Sequence, residues 1–191
     1  MRRAVAVIVL IVVVLIAAAV VNVLIHGVSA REQPTRAEVV LARTLRHFAV
    51  PMSLRSAKNP VPADAAALQE GRAHFADHCA QCHGNDGRGN TEMGRNLYPR
   101  APDMTLPETQ KLSDGELFAI IRNGVRLTGM PGWAGSHSEQ DDWKLVLFIR
   151  HLPRMSKEEA GSMKALNPVS PMEMREEQEE REFLSGGDPH K

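Results

Sequence analysis

The sequence predicts an all-α chain in which a single transmembrane helix precedes a small helical domain, and three observations carry that expectation. Residues Ala4 to Ile25 form 22 consecutive positions whose only polar member is Asn22. Farther on, apolar residues recur at helical spacing behind Ser/Thr capping signatures, and no stretch alternates as a half-buried strand would. The segments between those helices are long and rich in Gly and Pro, and unstructured loops of more than about 15 residues in a compact domain need something to wrap around.

The 191 residues allow one ordinary domain, or one small domain with appendages. A large multidomain enzyme is excluded. Lys+Arg and Asp+Glu are each 23, so the formal net charge is zero and no nucleic-acid partner is expected. The balance hides an asymmetry: residues 1–62 carry +6, residues 63–153 carry −3 and residues 154–191 carry −3. Six of the eight aromatics (Phe75, Tyr98, Phe118, Trp133, Trp143 and Phe148) fall within 63–153, which places the core there. The expected organisation is an N-terminal anchor over 1–30, a basic stalk helix and Pro-containing linker over 31–62, a folded domain over 63–153 and an acidic tail over 154–191.

The elements follow in order. A helix over residues 4–25 covers about 33 Å, close to the ~30 Å hydrocarbon core of a bilayer. Val28-Ser29-Ala30 also has the small-residue pattern of a cleavage site, but a signal h-region runs only about 7–15 apolar residues. Arg2 and Arg3 hold the N-terminus on the cytoplasmic side, so the rest of the chain is expected beyond a bacterial inner membrane, on the periplasmic side, as a single-pass protein. Thr35-x-x-Glu38 is a capping box opening a short helix with Leu41, Leu45 and Phe48 on one stripe, ended by Pro51. It is expected to rest on the domain or on lipid headgroups. Pro51, Pro60 and Pro62 mark a boundary. Ala63 to His83 reads as a helix with Gly71, Phe75 and Cys79 on one face, and 84–107 as loop. Ser113-x-x-Glu116 opens a helix with Leu117, Ile120 and Ile121 that stops near Asn123-Gly124, and Ser138-x-x-Asp141 opens one with Trp143, Leu147 and Phe148. The tail with its Glu173–Glu182 run reads as a solvated helix or a disordered segment.

The chemistry concentrates in Cys79-Ala80-Gln81-Cys82-His83, which holds both cysteines of the chain. C-x-x-C-H is the attachment signature of c-type haem. At a helix end the two sulfurs share a face, within reach of the two vinyl groups on one porphyrin edge, and His83 is placed to meet the iron. A structural zinc site needs about four ligands with a second pair, a redox dithiol follows a strand in a βαβ unit, and a disulfide of this spacing closes too small a loop to stabilise much. The sixth ligand is open among Met93, Met104, Met130 and the histidines. Met130 lies in Gly129-Met130-Pro131, where Gly permits close backbone approach and Pro fixes the turn.

Together with Gly71-x3-Phe75-x3-Cys79 and an aromatic last helix, these motifs make residues 63–153 resemble the class I cytochromes c. The resemblance implies a small all-α fold around one covalent haem c, with His83 and Met130 as axial ligands of the iron. It also implies that the first and last helices cross, with Gly71 and Phe75 against Trp143 and Leu147. A carbonyl near Pro99 or Pro102 is expected to accept the His83 Nδ1 proton. Arg95, Arg126, Tyr98 and Trp133 are candidate propionate donors that read equally as surface or packing residues. His74, His78 and His137 read as exposed or locally hydrogen-bonded. Six-coordinate iron leaves no vacant substrate position, so no catalytic residue is expected. No Walker A loop, G-x-S-x-G elbow, H-E-x-x-H helix or Rossmann fingerprint is present, so no nucleotide is expected. The function expected is a membrane-tethered electron carrier acting on redox partner proteins, or the haem c subunit of a larger membrane dehydrogenase or terminal oxidase complex.

Overall fold

The computed structural model describes residues 2–27, 29, 32–168, 175, 180 and 181. Helix α1 (Arg2–His26) is long and apolar enough to cross a membrane, buries none of its residues and anchors the chain in the bilayer. Val28 and Ala30 of the cleavage-like triplet, and nearly all of the tail beyond residue 168, lie outside the described residues.

Helix α2 (Arg36–Ala49) starts at the expected capping box. The Thr35 hydroxyl accepts from the Glu38 amide at 3.3 Å, and the Glu38 carboxylate accepts from the Thr35 amide at 2.6 Å. It meets the domain through polar groups: the His47 ring lies 2.8 Å from the Glu116 carboxylate, and the Tyr98 hydroxyl donates to Glu38 at 3.1 Å. Its stripe of Leu41, Leu45 and Phe48 points away from the domain and is 60–70% exposed. A one-turn helix, α3 (Met52–Arg55), follows Pro51 and lies against the helix that starts at Asp114, where a Cβ on Gly115 would collide with the Leu54 carbonyl.

Helix α4 (Ala65–His78) begins two residues later than the sequence pattern suggests, because Asp64 caps it by accepting from Ala67 N at 2.8 Å. At Cys79 the backbone opens to φ −106°, and a separate turn, α5 (Ala80–His83), completes the expected helix. The stretch read as loop contains α6 (Glu92–Asn96), capped by the Thr91 hydroxyl, and α7 (Pro107–Gln110) with Pro at its first position follows. Helix α8 (Asp114–Asn123) has both halves of its capping box, and α9 (Glu139–His151) is capped by Ser138. After Pro153 come α10 (Lys157–Ser162) and a 3-10 turn at Met163–Leu166. Among the described residues there is no strand, only an isolated bridge between Ala134 and His137.

Helices α4 and α9 cross where Gly71 presents no side chain, and a Cβ there would strike the Lys144 carbonyl. One turn on, Phe75 and Phe148 pack with ring centroids 5.0 Å apart, both almost wholly buried. Lys144 and Phe148 thus make the contacts with Gly71 and Phe75 that were expected of Trp143 and Leu147, although Trp143 shares the same core. Trp143 turns to α8 instead and stacks on Phe118 at 4.1 Å and 11°. The core also runs past residue 153. Met163 is fully buried in it and Met155 packs against it, because this part of the acidic tail supplies apolar side chains to the open side of α4.

Candidate haem site

The attachment motif occupies a single turn. His83 N donates to Cys79 O at 2.9 Å and Cys82 N to the same carbonyl at 3.2 Å, so the two sulfurs and the imidazole issue from one coil of backbone. Both cysteines are free thiols. Burial first, then the neighbouring Cys82, Asp142 and Asp77, pushes the Cys79 thiol up to about 12, and burial also raises Cys82.

The segment after the motif folds back onto it. Gly89 N donates to His83 O at 2.7 Å and the Thr91 hydroxyl to Cys82 O at 3.1 Å. Ala101 N reaches Gly94 O at 3.0 Å, and Met104 N reaches Gly87 O at 2.8 Å. Gly89, at φ +68°, lies so close to the Ala101 carbonyl that a Cβ would collide with it. This closure carries 101–102 onto His83. Burial lowers the basicity of the ring and a contact with the Pro102 backbone partly restores it, while Nδ1 is shielded from solvent without a hydrogen bond of normal geometry.

Met130 comes from a different place. Its amide donates to the Thr128 hydroxyl at 3.1 Å and its carbonyl accepts from Val125 N at 3.1 Å. Trp133 N and Ala134 N then donate to the Ile121 and Arg122 carbonyls, which pins the loop to the end of α8. Among the described residues no hydrogen bond or ring contact joins Met130 to His83. Of the rival sulfurs, Met104 is buried in the core and Met93 is exposed on α6.

Residues 66–149 match the family model described as cytochrome c oxidase, cbb3-type, subunit III. The turn from Cys79 to His83 lies inside that match. This segment is a c-type cytochrome domain. The chain is 34% identical over 97 residues to the cbb3-type cytochrome c oxidase subunit FixPc of Rhizobium leguminosarum bv. viciae, covering 48% of this chain and 30% of the relative. It is 44% identical over 101 residues to the FixP subunit of Azorhizobium caulinodans (52% and 32%), and 46% identical over 92 residues to that of Sinorhizobium medicae (48% and 29%). The match thus spans about 30% of the length of these curated relatives. A cytochrome c domain implies covalently bound haem c, and the residues present fit that group: two unpaired thiols on one turn, beside an imidazole whose shielded Nδ1 faces a carbonyl.

Three of the four candidate propionate donors have partners away from this turn. Tyr98 donates to Glu38, Arg95 to Asn90, and Trp133 stacks on His137 at 4.6 Å. His74, His78 and His137 were expected to be exposed or locally hydrogen-bonded, and His78 is exposed while His137 lies 3.3 Å from Asp142, but the three also form one cluster. His137 is buried, and the three rings converge within 4.9 Å of one another between centroids. His74 and His78, four apart on α4, were legible as a pair on one face; His137, in a loop some 60 residues away, was not.

Proposed function

We propose that this chain is the haem c electron-transfer subunit of a membrane terminal oxidase of the cbb3 type. The observation that carries the reading is the Cys79–His83 turn inside the segment that matches subunit III of such oxidases. Cys79 and Cys82 would hold one haem c through thioether bonds, and His83 and Met130 would ligate its iron. When bound, the group would supply a one-electron couple, and a thioether ligand such as Met130 would favour its ferrous state.

The protein's part is to hold and shield. Burial keeps His83 neutral, which is its ligating form, and the Pro102 carbonyl stands where it can fix the ring orientation. Two anchors on α8 carbonyls hold the Met130 loop. Helix α1 places the domain on the periplasmic face of the inner membrane, and the tether raises its effective concentration near its partners. The −3 charge over 63–153 favours transient docking of a soluble donor through a basic patch.

Extraction of the haem-loaded chain in mild detergent tests the assembly. Stoichiometric co-purification with a haem-copper catalytic subunit is the expected result. A monodisperse single chain that still carries haem and exchanges electrons with a soluble carrier overturns the subunit reading and leaves a free-standing tethered carrier.

A further inference from the structure

His74 and His78 are successive turns of α4, and His137 arrives from the loop before α9. Their ligand nitrogens lie within 4.8 Å of one another, and the Nε2 atoms of His74 and His137 are 3.1 Å apart. Ligand nitrogens at about 2.0–2.1 Å from a tetrahedral zinc ion stand roughly 3.3 Å apart, so this pair already has the spacing of two ligands.

The surroundings set the tautomers. Asp142 is fully buried, and its Oδ1 lies 3.3 Å from His137 Nδ1 while its Oδ2 accepts from Arg122 at 3.0 Å. Asp77 lies 2.9 Å from His78 Nδ1. A carboxylate on Nδ1 puts the proton there and leaves Nε2 with a free lone pair, which is how metal-binding histidines are oriented. Trp133 stacks on His137 at 14° and packs edge-on against His78, fixing both rings. Desolvation, then the neighbouring His137 and His78, lowers the basicity of His74.

We propose that His74, His78 and His137 bind one divalent transition-metal ion of borderline softness, such as zinc, through their imidazole nitrogens. The hydrogen shared between His74 and His137 belongs to His74 Nε2; it moves to His74 Nδ1 by exchange with water as the ion takes its place, so that His74 ligates as a neutral imidazole. His78 stands on the solvent side, so water completes the coordination there. Asp142 is a positioning residue, acting on the ion through His137. None of the three ligands belongs to the Cys79–His83 turn, which His78 directly precedes, and the site stands whether or not the chain is an oxidase subunit.

The test uses the haem-loaded full chain in detergent, without a histidine affinity tag, stripped with chelator and dialysed against zinc chloride, with bound metal counted by mass spectrometry. One zinc per chain is expected at micromolar free zinc. His74→Gln and His78→Asn should each weaken binding by about 10- to 100-fold or more, with Soret absorbance and thermal midpoint showing that the fold persists. Should His74→Gln disturb α4, His78→Asn, on the exposed side of the helix, decides the matter. His151→Gln, which removes a histidine paired with Glu159 elsewhere, should bind as the parent does. Less than one zinc per chain, unchanged affinity in the α4 variants, or loss confined to His151→Gln each overturns the proposal.

Discussion

At the residue scale, the groups that matter are those whose neighbours leave them one role. Asp142 has no solvent contact and is shared between Arg122 and His137. Asp142→Ala removes the 3.0 Å partner of a largely buried guanidinium, which keeps the His137 carbonyl and Glu139, so unfolding of the haem-loaded protein should show a loss of about 1–3 kcal/mol. Met130→Ala should lower the midpoint potential and let the reduced protein bind carbon monoxide rapidly; an unchanged potential would move the sixth-ligand role to another sulfur. Glu116 offers a pH test. Burial raises its carboxyl, but hydrogen bonds from the Ser113 amide and His47 outweigh that and hold it below its ordinary 4.5. A carboxyl depressed by folding contributes stability that is present above the unfolded value and lost as pH falls through the folded one. The stability gap between the parent and Glu116→Gln should therefore be full above about pH 4.5 and shrink at more acidic pH, read from thermal unfolding along the acid limb.

At the element scale, the decisive contact is between α4 and α9. Gly71 lets the two backbones touch, and neither a backbone carbonyl nor a helix can retreat as a flexible side chain would. Gly71→Ala should cost about 1–3 kcal/mol, as overpacking does, and should raise the loss of haem-bound folded protein on heating. The caps behave as the sequence suggests. Ser113 and Glu116 form the full reciprocal box, and Thr35 with Glu38 does the same on α2. Capping was legible because it is a local matter of four residues. The partner of Trp143 was not, because a helix periodicity names a buried face without naming which neighbour covers it. The amphipathic stripe of α2 shows the limit from the other side: its pattern was read correctly, yet the structure turns the polar side to the domain, where Glu116 and Tyr98 meet His47, Arg46 and Glu38 of α2.

At the scale of the whole molecule, a membrane helix carries a small domain whose loops close on the attachment turn. A chain of this size buries a modest share of its surface, so the covalent group is a structural element as well as a redox one. Cys82→Ala, matured in a host that ligates haem, should yield protein of reduced Soret absorbance and a thermal midpoint well below the parent's, measured by calorimetry on the purified chain. The core reaches Met163 for the same reason: a small domain recruits apolar side chains from segments that composition assigns to a tail.

By itself the sequence determined the all-helical class, the anchor, the capped helix starts and the C-x-x-C-H turn, since each is a property of neighbouring residues and of backbone periodicity. Tertiary structure alone decided that Lys144 and Phe148 meet α4, that Met163 completes the core, and that a loop histidine joins two helical ones beside a buried aspartate. Those pairings join positions far apart along the chain. They are selected by packing and by the need to satisfy buried charge, which no local pattern encodes.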